Sequence, residues 1–326
     1  MAEPTVTAIA PLRAVDGGRV VILGANFPVD DPSSITFGEQ RARVVFASPS
    51  RLVVQVPGDM EGGATPIRIG PAPGQTVYAS IGAPWATGLH QVDNPVFDRY
   101  GRLFVTYSGA RGQEAPVSIF RVSAEGTRET FASGIVNATS MAFGPDGNLY
   151  ASSRFEGAVY RIAADGTHEQ IAADLGVACG LAFDAEGWMY VGDRSGTIFR
   201  LRDGRASAFA SLPASVAAFH LAMSPWGELF VSAPTLGSYD HIYRIDRHGH
   251  VRTLPTTLGR PQGLAFGPDG ALHVVDALAG ASGLYRFADL DAAPELVISG
   301  AALIGVAFGP NGEVVVSSNE TAYRFQ

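Results

Sequence analysis

Two stretches of the sequence decide the fold: Met141–Gly147 (MAFGPDG) and Leu264–Gly270 (LAFGPDG) are nearly identical although they lie far apart in the chain. Shorter versions of this pattern recur, each with an apolar anchor residue and a glycine four positions later. The anchors are spaced 40 to 46 residues apart and are Phe97, Phe143, Phe183, Met223, Phe266 and Phe308. A repeat of this length is typical of one four-stranded blade of a β-propeller.

Each repeat also ends in the same way, with an aromatic residue followed by arginine, as in Tyr160-Arg161 and Tyr285-Arg286. An apolar, β-prone run lies between anchor and ending, and turn residues of the Pro-Asp-Gly type separate the runs. Helical periodicity is absent. The sequence therefore predicts an all-β chain with a six-bladed propeller.

The last repeat stops at Gln326, directly after its third predicted strand, so its outer strand must come from elsewhere. Propellers avoid an unpaired edge by taking that strand from the other end of the repeat region. The segment Trp85–Leu89 precedes the first anchor by the same twelve residues by which Phe131–Ile135 precedes Phe143. We therefore expect residues 81–87 to complete the last blade.

The first 80 residues do not carry the repeat. Short apolar runs separated by turn residues, such as Arg19–Leu23 and Leu52–Val56, predict a small immunoglobulin-like (Ig-like) β-sandwich. The predicted division is an Ig-like domain at 1–80 and a propeller at 81–326.

Composition excludes several classes of function. The chain of 326 residues has a net charge of −8, and all 23 basic residues are arginine, which argues against nucleic-acid binding and against anionic membranes. No apolar run has the length of a membrane span. The single cysteine, Cys179, excludes an internal disulfide framework and a cysteine zinc cluster. No cofactor is predicted.

The N-terminus does not match a secretory signal, since it begins Met1-Ala2-Glu3-Pro4, and Pro11 and Arg13 interrupt the first apolar stretch. As written, the chain is expected in the cytoplasm. If a signal peptide has been replaced by the initiator methionine, the protein is secreted or periplasmic.

The N-terminal segment resembles the IPT/TIG family of Ig-like domains, on the strength of Pro11, Gly24–Phe27, Phe37-Gly38 and Val56-Pro57. The repeats resemble six-bladed propellers of the NHL-repeat and gluconolactonase/regucalcin/strictosidine-synthase groups. These groups include lyases, lactonases and proteins that bind without catalysis, so the resemblance implies the fold and leaves the activity open.

In lactonase-like propellers, a divalent metal on the axis is held by Asn, Asp and Glu just before the inner strands. The positions that match, four residues before each anchor, are Asp93, Thr139, Cys179, Phe219, Gln262 and Ile304. A hard cation needs about six oxygen ligands, which this set does not supply. We therefore expect no tightly bound divalent metal.

Loops that enter the inner strands and loops between the second and third strands share one end of a propeller, the default ligand site. His220 directly precedes an inner strand and is a candidate axial base or ligand, or a side chain that only bonds the backbone. His241, in Tyr239-Asp240-His241, could add a His–carboxylate pair. The remaining candidates are the acids Asp93, Asp193 and Asp276, the amide Gln262, and the cations Arg154 and Arg194.

Each of these candidates has a second interpretation. Asp193 and Asp276 occupy the same position of their repeats, which favours turn caps that accept backbone hydrogen bonds. Arg154 and Arg194 are either anion contacts or solvated surface residues. No nucleophile motif is present, and nothing around Cys179 lowers the pKa of its thiol.

The leading functional hypothesis is a non-enzymatic recognition protein that binds a protein partner or a small ligand. The alternative is a lactonase- or lyase-like hydrolytic enzyme that uses His220, His241, Asp93 and Asp193.

Overall fold

The computed structural model of the protein describes residues 3–30, 34–70, 75–278 and 280–325. Within these ranges the regular structure is entirely β-strand. None of the described residues forms a helix long and apolar enough to cross a bilayer. The all-β class expected from the sequence is confirmed.

The N-terminal part is a two-layered β-sandwich. Its strands alternate between buried and exposed residues, so that Val20 and Ile22 of one strand and Leu52 and Val54 of its neighbour enter a shared core. One sheet has the order β1-β3-β7-β6, and the facing sheet contains β2, β9, β8, β4 and β5. The strands are β1 Thr5–Ala10, β2 Arg13–Ala14, β3 Arg19–Ala25, β4 Thr36–Phe37, β5 Gln40–Arg41, β6 Arg43–Ser48, β7 Arg51–Gln55, β8 Gly63–Ile69 and β9 Gln75–Ile81.

The rest of the chain forms six four-stranded antiparallel units, the blades. Blade one contains β11 Val96–Phe97, β12 Leu103–Thr106, β13 Ile119–Val122 and β14 Arg128–Ala132. Blade two contains β15 Ala138–Phe143, β16 Leu149–Ser153, β17 Ala158–Ile162 and β18 His168–Ala172. Blade three contains β19 Ala178–Phe183, β20 Met189–Asp193, β21 Thr197–Arg202 and β22 Arg205–Ser211.

Blade four contains β23 His220–Met223, β24 Leu229–Ser232, β25 Asp240–Ile245 and β26 Val251–Leu258. Blade five contains β27 Pro261–Phe266, β28 Leu272–Asp276, β29 Gly283–Phe287 and β30 Glu295–Ser299. Blade six contains β31 Leu303–Phe308, β32 Val314–Ser318 and β33 Ala322–Phe325, with β10 Ala83–Ala86 as its outer strand. The inner strands contact one another in cyclic order, and β11 contacts β31 to close the ring.

The repeated anchor residues hold neighbouring blades together. Phe143 of blade two packs edge-on against Phe104 of blade one, with ring centroids 5.5 Å apart, and Phe183 packs on Tyr150 at 5.0 Å. Phe308 packs on His273 of blade five at 4.8 Å. The period seen in the sequence is thus the period of a contact between blades, which buries aromatic surface at each step around the ring.

The last blade is closed as expected from the sequence. Strand β10 pairs antiparallel with β33, with Ala83 opposite Arg324 and Pro84 opposite Tyr323. The guanidinium carbon of Arg324 lies 4.6 Å from the centroid of the Trp85 ring, and the Trp85 residue is 7% exposed. A segment from before the first repeat therefore completes blade six.

The sequence did not predict how the sandwich joins the propeller. Strand β2 lies parallel to both β9 and β30, so the second sheet of the sandwich continues into blade five as one nine-stranded sheet. The amide of Val15 donates to the carbonyl oxygen of Ser299 at 2.9 Å, and the amide of Arg19 donates to the Ser299 hydroxyl at 2.6 Å. Backbone pairing on both sides of β2 fixes the sandwich against the rim of the ring.

We predict that Trp85→Ala lowers the free energy of unfolding by about 3–5 kcal/mol, because it removes a large buried ring at the closure of blade six. Trp226→Ala is the matched control, since Trp226 lies on a turn and is 50% exposed; we expect a loss of about 1 kcal/mol. Urea unfolding of both variants measures the difference. Equal losses would show that closure does not depend on this contact.

A second prediction concerns the junction with blade five. A Cβ at position 18 would lie 2.4 Å from the Ser299 carbonyl oxygen, so Gly18→Ala must displace the junction; we expect a loss of about 1–3 kcal/mol. Gly58→Ala, where no heavy atom would lie within 4 Å, should be neutral or slightly stabilising. Calorimetry of the two alanine variants compares them, and a neutral Gly18→Ala would mean that the two parts do not pack as described.

Candidate functional site

One end of the propeller, here called the mouth, is formed by the loops that enter the inner strands and those between the second and third strands. Four arginines lie on these loops. Arg111, Arg154 and Arg194 follow the second strands of blades one, two and three, and Arg260 precedes β27. Among the described residues, none of these four side chains forms an ion pair with a carboxylate.

Arg154 is close enough to Arg111 and to Arg194 to be affected by their charges. Burial lowers the pKa of the half-buried Arg154, and the positive charges of Arg111 and Arg194 lower it further. Like charges that gather without a counter-ion destabilise one another. An anion bound between them would relieve this repulsion and gain charge-assisted hydrogen bonds.

Exposed apolar side chains lie on the loops of the same end of the propeller. Phe155 is 54% exposed beside Arg154, and the long loop of blade four exposes Leu236 and Tyr239. Val216 and Leu278 add apolar surface from the loops of blades four and five. Exposed apolar residues and cations without a carboxylate partner on the same loops are typical of a ligand-binding surface.

Two of the predicted site residues meet on the axis below the mouth. The Nδ1 atom of His220, on blade four, lies 2.5 Å from Oδ1 of Asp93, which precedes the inner strand of blade one. Blades one and four are opposite in the ring, so this contact spans the axis. Because a carboxylate only accepts hydrogen bonds, Nδ1 carries the proton and donates it to Asp93. Both side chains are buried, and His220 has no exposed surface.

Asn94 adds a second link across the same level. Its Nδ2 donates to the carbonyl oxygen of Leu264 at 2.9 Å, and its Oδ1 accepts the amide of Val306 at 2.9 Å. One amide side chain thereby joins blade one to blades five and six. Asn94 and the Asp93–His220 pair form a buried layer below the mouth, which is here called the floor.

The floor is polar although it is buried. His220 Nε2, both side-chain polar atoms of Gln91, and the hydroxyls of Ser108 and Ser317 are buried without a hydrogen-bond partner among the described residues. Buried polar groups in folded proteins are nearly always paired, often with ordered water. The floor therefore favours contact with water or polar groups over contact with apolar groups.

Asp193 and Asp276 play the role of turn caps. Asp193 accepts the amide of Val177 at 2.8 Å and bonds the amide and hydroxyl of Ser195. Asp276 accepts three amides, those of Gly259, Arg260 and Leu278, at 2.8–2.9 Å. In each case the carboxylate ties the end of a second strand to the loop that enters the same blade, as aspartates do in turns.

The other candidates lie apart from the arginines or are buried. His241 is placed differently from the sequence analysis, since its Nδ1 lies 3.0 Å from the Leu254 carbonyl oxygen of an outer strand. Its neighbour Asp240 binds the amide and hydroxyl of Thr235, so the proposed His241–Asp240 pair is absent. Gln262 is buried, and burial raises the pKa of the Cys179 thiol to about 12.

The residues at the axial positions do not fit the metal that lactonase-like propellers hold there. The Asp93 carboxylate is occupied by His220 and by the amide of Asn94, and the hydroxyl of Thr139 donates to Asn137. The remaining positions offer a thiol, two hydrocarbon side chains and one amide. Among the described residues, no three His, Cys, Asp or Glu side chains form a group that could hold a metal ion.

Sequence reasoning missed Arg111 and Asn94. Arg111 lies in the extended loop of blade one, where the excess length over the other repeats was the available signal. Asn94 carries no signal in a single sequence, because its partners on blades five and six are brought to it only by the closed ring.

Two protein-family models match parts of the chain. The IPT/TIG domain model matches residues 4–80, and the model of the N-terminal part of strictosidine synthase-like proteins matches residues 180–201. No curated protein sequence is significantly similar to the chain.

Several solved structures share the fold at low identity. An auxiliary nutrient binding protein from Bacteroides thetaiotaomicron is 12% identical, with a TM-score of 0.59 over 99% of this chain and 98% of that one. A gluconolactonase from Xanthomonas campestris is 14% identical, with a TM-score of 0.61 over 89% and 96%. Virginiamycin B lyase from Staphylococcus aureus is 15% identical, with a TM-score of 0.54 over 92% and 97%. Likeness at this identity establishes the fold alone, and membership of the NHL-repeat group stays a prediction.

We predict that Asp93 and His220 are strongly coupled in stability. Asp93→Asn and His220→Gln should each cost about 3 kcal/mol, because each leaves a buried polar partner unpaired, and a double-mutant cycle should give a coupling energy of at least about 1 kcal/mol. Urea unfolding of the wild type, both single variants and the double variant provides the cycle.

The exposed pair His250–Asp246, at 2.9 Å, is the control for this cycle. Its coupling should be much smaller, since solvent screens it. If the axial cycle shows no more coupling than the exposed one, the pair does not hold the floor together.

Proposed function

We propose that the protein is a non-enzymatic recognition protein whose propeller mouth binds a protein partner or a small ligand through an anionic group. The observation that carries this proposal is the cluster of Arg111, Arg154 and Arg194, which has no carboxylate partner among the described residues. A small organic or phosphorylated anion fits best, because the cluster sits on loops around a closed floor. The net charge of −8 argues against nucleic acid as the anion.

The burial of the floor favours binding over catalysis. A general base must reach the proton that it abstracts, directly or through one water. His220 Nε2 is the free basic atom of the Asp93–His220 pair, but the His220 side chain has no exposed surface. The arginines of the mouth bind and orient anions and do not exchange protons near neutral pH.

The structural neighbours are compatible with this proposal. The nutrient binding proteins resemble the chain over nearly its whole length, sandwich and propeller together. The gluconolactonase resembles it over a smaller share. The resemblance to proteins described as nutrient binding supports a binding role for this chain. It does not decide the function, since the same fold also occurs in enzymes.

The second candidate function is a lactonase- or lyase-like enzyme, and the Asp93–His220 pair is the observation that favours it. A carboxylate that orients a histidine is the arrangement of a general base. For this pair to act, the floor must open enough to expose Nε2 to a substrate.

We predict that replacing Arg111, Arg154 and Arg194 together by glutamine weakens binding of citrate, used as a trianionic probe, at least tenfold at low salt. The reason is the loss of three charge-assisted contacts, and affinity in the wild type should fall with rising salt. Isothermal titration calorimetry gives both values.

The matched control replaces Arg99, Arg205 and Arg247 by glutamine. These exposed residues lie at the opposite end of the propeller, Arg99 and Arg247 on turns and Arg205 at the start of β22. This control removes the same net charge and should leave citrate affinity within about twofold, since only distant screened charges change. Equal losses in both triple variants, or no citrate binding by the wild type, would contradict an anion site at the mouth.

The enzyme alternative has its own measurement. If the wild type hydrolyses a simple aldonolactone and His220→Gln abolishes turnover while the folded fraction by circular dichroism is unchanged, catalysis replaces recognition as the function of the axis. We expect no turnover above the uncatalysed rate.

A further inference from the structure

A second cleft lies outside the mouth, between the sandwich and the rim of the propeller. Its volume is about 640 Å³, which is within the range of small-molecule sites. One wall is the outer face of the β1-β3-β7-β6 sheet. The other wall is made by the loops that follow β28 and β30, at residues 277, 280–282 and 299–302. Sites between domains are common ligand-binding positions.

The wall from the sandwich carries an apolar stripe. Val21 and Val53 face each other across β3 and β7, and Phe46 of β6 lies opposite Val53 on the other side. Phe46 is 46% exposed although it belongs to a regular strand. An outer sheet face in contact with solvent is usually polar. The apolar stripe therefore indicates that a ligand or another apolar group covers it.

The wall from the propeller is made of small residues on a fixed support. Its described members include Gly280, Ser282, Gly300 and Ala301, which leave the space open. The β2–β30 pairing and the two hydrogen bonds to Ser299 hold both walls in place. A ligand would therefore enter a cleft formed in advance, with little ordering cost.

The charges that line the cleft are all positive. Arg19 and Arg51 are its ionisable side chains, and no carboxylate is among its described lining residues. Neither arginine forms an ion pair with another described residue; the guanidinium of Arg51 lies over Phe46, and that of Arg19 makes one long contact, 3.4 Å, to the Gly280 carbonyl oxygen. In a chain of net charge −8, two unpaired cations beside an apolar stripe favour an anionic amphipathic ligand.

The positions of the two cations set the shape of this ligand. Arg19 is opposite Gln55 and Leu23 is opposite Arg51, so the arginines lie at opposite ends of the stripe. Four residues along a strand separate them by roughly 13 Å. We infer that the cleft binds an elongated organic diacid, whose apolar middle covers Val21, Val53 and Phe46 and whose carboxylates pair with Arg19 and Arg51.

This site is independent of the mouth. The arginines of the mouth belong to loops of blades one to three, whereas the cleft lies on the sandwich and on the loops after β28 and β30. A failure of either proposal therefore leaves the other unaffected.

Azelate, a nine-carbon diacid, is the probe that tests the inference, with nonanoate and 1,9-nonanediol as analogues that lack one or both carboxylates. In calorimetric titrations of the full chain, azelate should bind at least fivefold more tightly than nonanoate, and the diol should bind least. Arg19→Gln and Arg51→Gln should each weaken azelate binding about tenfold, because each removes one charge-assisted pair.

Three variants act as controls. Arg41→Gln removes an exposed arginine of β5, which belongs to the other sheet and does not line the cleft, and should leave azelate affinity unchanged. Arg19→Lys keeps the positive charge and should retain most of the affinity. The triple glutamine variant of the mouth should bind azelate as the wild type does.

Several results would overturn the inference. They are the absence of azelate binding, equal binding of azelate and the diol, or loss of binding in the mouth variant alone. A fourth is concentration-dependent dimerisation in sedimentation velocity that Phe46→Glu abolishes, in a protein that does not bind azelate. That outcome would show that a second copy of the chain covers the stripe.

Discussion

The pairing of β10 with β33 is the constraint on which the rest of the structure depends. Without it, blade six would expose an unpaired strand edge. Because β10 must lie on the outside of blade six, β9 ends at Ile81 with only Gly82 between the two strands. A side chain at position 82 would collide with the ring of Phe325, since its Cβ would lie 2.8 Å away. Closure of the propeller therefore also places the sandwich.

The same constraint shapes both candidate binding regions. With β9 held beside blade six, β2 fits between β9 and β30, and the first sheet of the sandwich faces the loops after β28 and β30. The cleft follows from that placement. On the axis, the closed ring brings Asn94 between Gly263 and Gly305, where any side chain larger than hydrogen would collide with it. Glycine at these two inner-strand positions makes the amide link across the axis possible.

The fold could be predicted from the sequence because its main contacts repeat. Four of the anchors, Phe143, Phe183, Phe266 and Phe308, pack on a ring of the second strand of the preceding blade, so the same contact recurs around the propeller. The offset that identified Trp85 as part of the closing strand has the same origin. The capping role of Asp193 and Asp276 was also accessible, since both occupy one position of the repeat.

The candidate site could be predicted only in part, because its contacts do not repeat. Asp93 and His220 were both chosen, but their pairing joins residues 127 positions apart in opposite blades. The arginine cluster depends on the conformations of three loops of unequal length. Arg154 and Arg194 occupy the same position of their repeats, but Arg111 does not. The parallel pairing of the two-residue strand β2 with β30 has no sequence signature, since strands this short lack a pattern.

The hydrogen bonds of three buried acids explain how an acidic protein can keep arginines without a carboxylate partner at its mouth. Asp193 is adjacent to Arg194 in sequence and Asp276 accepts the amide of Arg260, yet each carboxylate bonds backbone amides of the loop that enters its blade and of its own turn. Asp93 is likewise occupied by His220 and the amide of Asn94. A carboxylate that accepts two or three such bonds holds its loop in place, and none of these three acids forms an ion pair with a described arginine. These three acids thus hold the scaffold while the arginines of the mouth stay without a carboxylate partner, so that their attraction for an anion is available to a ligand.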